Sequence, residues 1–309
     1  MKKIEITKVN RNQSMVYLAL IVVALIIGFS FIFVKIALKN ASAIDVLTYR
    51  FTSATLVIIC LCAFKVIKLP KLSLNQLWHL LLLSFFYPIL FFGLQTIGLE
   101  YSSASEAGII FALSPIITLL FAHFFLKEKT TTLQKIGVLI SVLGVIYIFY
   151  HKKTDTVEKS MIGNILLLLS VISIVGYYML GKKLMSQYTA LNLTVIIVFV
   201  ASFSFGITSI VMHSYTGEWA SLIDPLTNGQ FITSILYLGI LSTLVTSLLT
   251  NYALSKIPAS TVSIFNNLSP IIAVIGGVIV LDEQLYNYHI IGGIMVFLGV
   301  FSTVFFKKK

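Results

Sequence analysis

The sequence predicts an all-α polytopic membrane protein with ten transmembrane helices, arranged as two inverted five-helix repeats. Three observations predict this fold: the composition of the chain, ten apolar runs of helix length, and an internal repeat. Of the 309 residues, 58% are hydrophobic and 11% are charged, and the mean hydropathy is +0.99. A soluble domain carries about 25% charged residues. We therefore expect the chain to lie in a lipid bilayer.

Ten apolar segments are long enough to form membrane helices. A helix rises about 1.5 Å per residue and must cross about 30 Å of hydrocarbon, so roughly 20 apolar residues are needed. The predicted helices occupy residues 15–36, 43–65, 76–97, 104–126, 133–150, 161–181, 191–213, 230–253, 260–280 and 287–306. The first run is too long for a signal-peptide core, and no small-residue cleavage site follows it. We expect it to remain as a transmembrane helix.

An internal repeat divides the chain into two halves. Residues 94–150 recur without a gap at residues 249–305, with 17 identities in 57 aligned positions. Solenoid repeats have periods of only about 20–50 residues, whereas a repeat of this length in an apolar chain is typical of duplicated membrane modules. We therefore predict two domains, residues 1–154 with the first five helices and residues 155–309 with the last five.

The distribution of Lys and Arg predicts the orientation of the helices. Loops rich in these residues stay in the cytoplasm. If both termini are cytoplasmic, sixteen of the 22 Lys and Arg residues face the cytoplasm and four face the outside. Because each half has five helices, the second half enters the membrane from the opposite side to the first. Inverted halves of this kind support alternating access around a central site, here expected in the plasma membrane.

Several motifs are similar to those of one transporter family. The residues are Gly28 and Lys35 in the first helix, Arg50 and Phe51 in the second, Pro115 with Leu126 and Glu128 in the fourth, Gly176 and Lys183 in the sixth, and Pro270 with Leu281 and Glu283 in the ninth. Together they resemble the EamA-type transporters of the drug/metabolite transporter superfamily, although Ile27 replaces the usual tryptophan. The resemblance covers nearly the whole chain. It implies a ten-helix carrier that moves small organic metabolites, often outward, through a central cavity lined largely by helices 3, 4, 8 and 9 and flanking ones.

Four charged residues lie within or at the edge of the predicted helices, at similar predicted depth. They are Lys35, Asp45, Arg50 and Glu106, and each needs a partner, a wet cavity or a function, because an ionised side chain in hydrocarbon costs about 2.5–3.5 kcal/mol. We predict one cluster, either a structural ion-pair network or an electropositive vestibule or coupling site. Glu106 is the candidate proton-coupling group because its repeat counterpart is Thr261, so the carboxylate distinguishes the two halves.

Four amides are candidates for the substrate-binding cavity. Asn266 and Asn267 precede Pro270 in helix 9, Gln95 lies in helix 3, and Asn251 lies in helix 8. Adjacent amides in a membrane helix cannot both face lipid comfortably. They are expected either to hydrogen-bond between helices or to contact polar groups of a substrate.

Two prolines occupy matching positions in the two halves. Pro115 and Pro270 remove backbone donors in mid-helix and are predicted to act either as gate hinges or as static kinks. Glu128 and Glu283 are expected to satisfy helix ends or neighbouring loops. No His, Cys or carboxylate group has metal-ligand spacing, so we expect neither a metal nor a cofactor.

These features favour a secondary carrier of small polar or amphipathic metabolites, such as amino acids, over an enzyme. No nucleotide-binding loop occurs, so an ATP-driven pump would need a separate subunit. The acidic residues are scattered, and the lysines form no basic face for nucleic acid. A lipid flippase or channel stays open as an alternative, and a lipid-modifying enzyme has less support. Substrate and lipid are the expected partners, with protons as the candidate coupling ion, and one chain is expected to suffice as a monomer.

Overall fold

The computed structural model describes residues 11–67, 74–126, 131–151, 157–184, 188–257, 262, 265 and 268–305, and the regular elements in these ranges are all helices. We number the long helices α1 to α10. They are α1 Arg11–Leu38; α2 Ala43–Ala63; α3, in pieces Leu74–Ser84, Phe85–Leu90 and Phe91–Tyr101; α4, in pieces Ala104–Phe111 and Ser114–Leu126; α5 Thr132–His151; α6 Val157–Leu184; α7 Ala190–Thr216; α8 Gly229–Lys256; α9 Leu268–Leu281; and α10 Asn287–Phe305.

The described helices make the chain a multi-pass membrane protein. Eight of them, α1 to α8, are long and apolar enough to cross a membrane, while α9 and α10 contribute shorter apolar helices of 10–17 residues. Large apolar side chains stand exposed along the outer faces of these helices, for example Phe203, Ile279 and Leu298. Such surfaces are suited to lipid and not to water.

Short polar residues start several helices. Ser42 accepts a hydrogen bond from the backbone N–H of Asp45 at the start of α2, and Ser103 accepts one from Glu106 at the start of α4. A capping oxygen satisfies one of the N–H groups that the first helical turn leaves without a partner. These caps place Asp45 and Glu106 in the first turns of their helices, at one end of the bundle.

The prediction of one continuous helix over residues 104–126 is wrong. The first piece of α4 ends at Phe111, and the second begins at Ser114 after a turn. Pro115 has no N–H to donate to the carbonyl of Phe111, so the helical hydrogen-bond ladder cannot continue there, whereas proline fits the first turn of a new helix. Pro270 lies buried in α9, and most of the residues just before Leu268 are outside the described ranges.

α3 and α8 share another irregularity. Each contains a π-helical segment, Phe85–Leu90 in α3 and Tyr237–Val245 in α8. The repeat offset of 155 residues places the first segment inside the second. Wide turns of this kind occur often at functional sites, and these two border the cavity described below.

The packing of α5 against α10 depends on four glycines. A Cβ added to Gly137 would lie 2.6 Å from the carbonyl oxygen of Gly299, and one added to Gly144 would lie 2.7 Å from that of Gly292. Gly137 and Gly292 are repeat counterparts, as are Gly144 and Gly299. The two helices therefore run antiparallel and meet through equivalent positions that exchange partners, which is the contact pattern of a twofold axis.

Candidate functional site

A cavity lies in the interior of the bundle between α1, α3, α6 and α8. The volume open to the centres of water-sized molecules is about 40 Å³, so the cavity is small in this conformation. Five of its lining side chains are aromatic: Tyr87, Phe91, Phe92, Tyr177 and Tyr178. No described residue that lines it carries a charge. These walls suit the apolar body of a small organic molecule.

The polar lining of the cavity is rich in hydroxyl groups. It includes Ser30, Gln95, Ser242, Thr246, Ser247 and Asn251. The hydroxyls of Tyr87 and Ser247 lie 3.0 Å apart and link α3 to α8. Asn251 accepts a hydrogen bond from the hydroxyl of Tyr177 and donates one of 3.0 Å to Thr194 of α7. The cavity thus offers a few fixed polar groups on an aromatic background.

Arg50 lies next to this cavity and is only 1% exposed. Its Nε donates to the hydroxyl of Thr243 at 2.7 Å, and its Nη2 donates to that of Ser242 at 3.0 Å. Its Cζ is 4.0 Å from the centre of the Phe92 ring, a cation–π distance. Nη1 is buried and has no hydrogen-bond partner, and no ion pair joins Arg50 to an Asp or Glu in the described part of the chain.

Asp45 forms a separate polar centre between α2 and α7. Its carboxylate accepts hydrogen bonds from Ser42 and Ser209, both 2.7 Å long, and lies 2.9 Å from Nε2 of His213. Nδ1 of His213 faces the carbonyl oxygen of Glu218 at 3.0 Å. Both ring nitrogens therefore face oxygen acceptors, which is the arrangement that a protonated imidazole requires. Asp45 and His213 are each 2% exposed.

Glu106 belongs to a third polar group, at the start of α4. It accepts a 2.9 Å hydrogen bond from Ser102, whose hydroxyl also lies 2.7 Å from Oδ1 of Asn164 in α6. Nε2 of His289 in α10 is 3.4 Å from Glu106. Because Nδ1 of His289 accepts from the backbone N–H of Tyr286, Nε2 is the nitrogen that can donate to the carboxylate.

Lys35 and Glu283 complete this end of the bundle. Lys35 Nζ donates to the carbonyl oxygens of Leu99 and Ser102 at 2.8 and 2.9 Å, and its ammonium is stabilised by the charges of Glu283 and Glu106. Glu283 of α9 accepts from the backbone N–H groups of Ala104 and Ser105 at 2.7 and 2.9 Å. The expectation that Glu283 satisfies a helix end is confirmed. Glu128 lies outside the described residues.

The structure separates the four charged residues that the sequence placed in one cluster. Lys35 and Glu106 share Ser102, but Asp45 pairs with His213, and Arg50 lies against hydroxyls of α8. The single-cluster prediction is wrong because similar depth in the membrane does not fix which face of a helix a side chain occupies. The spacing of Ser209 and His213, four residues apart on one helical face, was a signal for a partner of Asp45 that the prediction missed.

The predicted amides have different outcomes. Gln95 and Asn251 line the cavity, whereas Asn266 and Asn267 lie outside the described residues. Described lining residues come from α1, α3, α6 and α8, not from α4 or α9 as the resemblance implied. Sequence analysis did not single out the cavity tyrosines or Ser242 and Ser247, since such residues are common in membrane helices.

The apolar multi-pass fold with its interior cavity defines a membrane protein of the transporter class. Comparisons with known proteins give the family: the EamA-like transporter family matches residues 14–150 and again residues 161–305. The chain belongs to this family, as the sequence motifs predicted. Each match falls within one of the two predicted halves.

Individual relatives agree with this placement. The chain is 39% identical over 302 residues to a Bacillus subtilis (strain 168) protein named uncharacterized transporter YcxC, covering 97% of this chain and 96% of the relative. It is 28% identical to an uncharacterized transporter of Archaeoglobus fulgidus, covering 90% and 94% of the two chains. One solved crystal structure superposes with a TM-score of 0.65 at 12% identity, over 94% of this chain and 96% of the other, which shows a shared fold.

Proposed function

We propose that this protein is a secondary transporter that moves small organic metabolites, such as amino acids and related compounds, across the plasma membrane by alternating access. The cavity carries the proposal. The first and third helices of each predicted half line it, and its aromatic and hydroxyl groups suit a small organic molecule. The matching π-helical segments of α3 and α8 border it, and they supply places where both helices can change shape.

The alternating-access mechanism rests on ten helices in two inverted halves, residues 1–154 and 155–309. The exchange of partners among Gly137, Gly144, Gly292 and Gly299 supports this arrangement, because it relates α5 to α10 by a twofold axis. Two halves related in this way can exchange conformations and open the cavity first to one side and then to the other. One chain contains both halves, so a monomer is sufficient for this mechanism.

Counterflow in proteoliposomes tests the carrier proposal. A metabolite whose level differs between cells that lack and cells that overproduce the protein is loaded into the vesicles, and entry of the labelled compound is followed. We expect saturable uptake that an opposing gradient of unlabelled substrate accelerates. Unsaturable flux would favour a channel, movement of labelled lipid between leaflets would favour a flippase, and a covalent product made from lipid would favour an enzyme.

Orientation and direction form a separate part of the proposal. We propose cytoplasmic termini and export as the direction of transport. Tags at the two termini, probed in intact and in permeabilised cells, should both be accessible only after permeabilisation. Overproduction should raise the external level of the substrate and lower its level inside the cell. A tag exposed on intact cells would contradict the orientation.

We further propose that Glu106 is the proton-coupling group. Its surroundings support a role that depends on charge: Ser102, Asn164, His289 and Lys35 approach it from the end of α3 and from α6, α10 and α1. A proton on the carboxylate would weaken its attraction to Lys35 and so favour one facing state over the other. Glu106→Gln should flatten the pH dependence of transport, whereas Glu218→Gln, at an exposed side chain, should not. An unchanged pH profile in Glu106→Gln would contradict the role.

A further inference from the structure

The guanidinium of Arg50 is buried without a counter-ion. Two of its nitrogens donate to Thr243 and Ser242, while Nη1 is buried and unpartnered. No carboxylate pairs with it in the described part of the chain. A buried cation without an anion is costly, because hydroxyl groups replace only part of the hydration that the ion loses. Such a group is retained where an anion arrives from elsewhere.

The position of Arg50 indicates where that anion would come from. Ser242, which holds Nη2, and Phe92, over which the guanidinium lies, both line the central cavity. No described lining residue is charged, so the nearest charge behind the wall is positive. The bonds from Nε and Nη2 fix the plane of the guanidinium and leave Nη1 as the free donor.

We propose that the cavity binds organic anions that carry a carboxylate, and that Arg50 is the residue that recognises this group. The inference rests on the proposed carrier function and names its substrate class. The carboxylate accepts a charge-assisted hydrogen bond from Nη1, and the aromatic side chains contact the apolar part of the same molecule. Since Nη1 is buried behind Phe92 in this conformation, the Phe92 ring moves aside when the substrate enters.

A purely structural role for Arg50 gives different expectations. As a link from α2 to α8, Arg50 needs only its bonds to Ser242 and Thr243, and its loss would lower stability without changing which charge the cavity prefers. As a recognition group, Arg50 determines that preference. The two roles are separated by comparing probes of the same shape that differ in charge.

The probes are 3-phenylpropanoate, 3-phenylpropanamide and 3-phenylpropan-1-amine, with the matching series built on 4-methylpentanoate. Binding to the purified full-length protein is measured by titration calorimetry, and uptake is measured in proteoliposomes. Wild type should bind the better carboxylate about 10- to 100-fold more tightly than its amide, the range expected for a charge-assisted hydrogen bond. Arg50→Gln should remove this preference, while Arg50→Lys should keep part of it. Lys256→Gln removes a positive charge from the exposed end of α8 and should leave the preference unchanged.

The outcomes distinguish the inference from the carrier proposal. Transport of acid, amide and amine with equal affinity would overturn anion recognition and leave the carrier function intact. A full carboxylate preference in Arg50→Gln would overturn the role of Arg50. Should Arg50→Gln fail to fold, the charge series on wild type and on Arg50→Lys still decides, because a wild type that prefers the amide or the amine contradicts the proposal. If no probe of either series binds or moves, both proposals fail for this substrate class.

Discussion

Gly137 of α5 lies so close to Gly299 of α10 that a Cβ on the first glycine would be 2.6 Å from the carbonyl oxygen of the second. The equivalent pair, Gly144 and Gly292, meets at 2.7 Å with the two halves exchanged. Without an appreciable hydrophobic effect between helices in lipid, close backbone approach is a main source of helix association. This contact therefore both stabilises the fold and supports the proposed relation between the halves.

Replacing Gly144 by alanine should destabilise the contact between α5 and α10. The new Cβ would meet the backbone of Gly292, and since backbone cannot rotate away, the helices must separate at a cost of about 1–3 kcal/mol. The melting temperature of the purified protein measures the effect. Gly206→Ala is the matched control, because no atom lies within 4 Å of a Cβ there. Equal melting temperatures for the two variants would contradict the packing argument.

Replacing Glu283 by glutamine should weaken the junction between α9 and α4. Oε1 and Oε2 both accept hydrogen bonds from the start of α4, and an amide has only one acceptor oxygen. We expect a loss of about 1–3 kcal/mol, seen as a lower melting temperature. Asp282→Asn removes the neighbouring, exposed carboxylate at a residue with φ of 53°, a conformation that asparagine tolerates. This control should melt like wild type; a similar drop in both variants would point to net charge and not to capping.

Removing the charge of Asp45 should be more costly than removing an exposed one. Asp45→Asn leaves His213 buried beside a neutral amide, and breaking a buried pair costs about 3–5 kcal/mol. Asp224→Asn, at an exposed side chain near the same end, should have little effect. The free energies of unfolding of Asp45→Asn, His213→Gln and the double variant form a cycle. The double variant should lose less than the two single losses combined, since both remove one interaction.

Filling the cavity should stop transport without unfolding the protein. Ser247 lines the cavity, which has room for only a few water molecules, so Ser247→Leu would occupy the space that a substrate needs. Counterflow of the identified substrate should fall to background, while the melting temperature stays within a few degrees of wild type. Ser255→Leu, at an exposed position of the same helix, should transport normally. Normal transport by Ser247→Leu would place the substrate path elsewhere.

Much of the fold could be predicted from the sequence, because membrane helices are defined by local properties. The expected segment 43–65 compares with α2 at Ala43–Ala63, and the expected segment 191–213 compares with α7 at Ala190–Thr216. The break in α4 was not predicted, although Pro115 was recognised. The effect of a proline on a helix depends on whether the neighbouring helices support a bend or a full interruption.

The site was less accessible to sequence analysis. Gln95 and Asn251 were placed correctly because an amide in an apolar helix needs a polar or wet environment. The partners of Arg50 were not predicted, since Thr243 is 193 residues away in the chain and has no unusual character of its own. Glu106 and His289 are 183 residues apart and meet through the same kind of long-range packing.

The sequence by itself determined that the chain enters a membrane, where most of its helices lie, and that it contains a repeat, because hydrophobic length and internal similarity are read along the chain. Only the tertiary structure decided which charges meet, which helices enclose the cavity, and that one nitrogen of Arg50 is left without a partner. The physical reason is that a side chain's energy in a bilayer depends on the groups opposite it on other helices, and helix rotation and crossing alone bring those groups together.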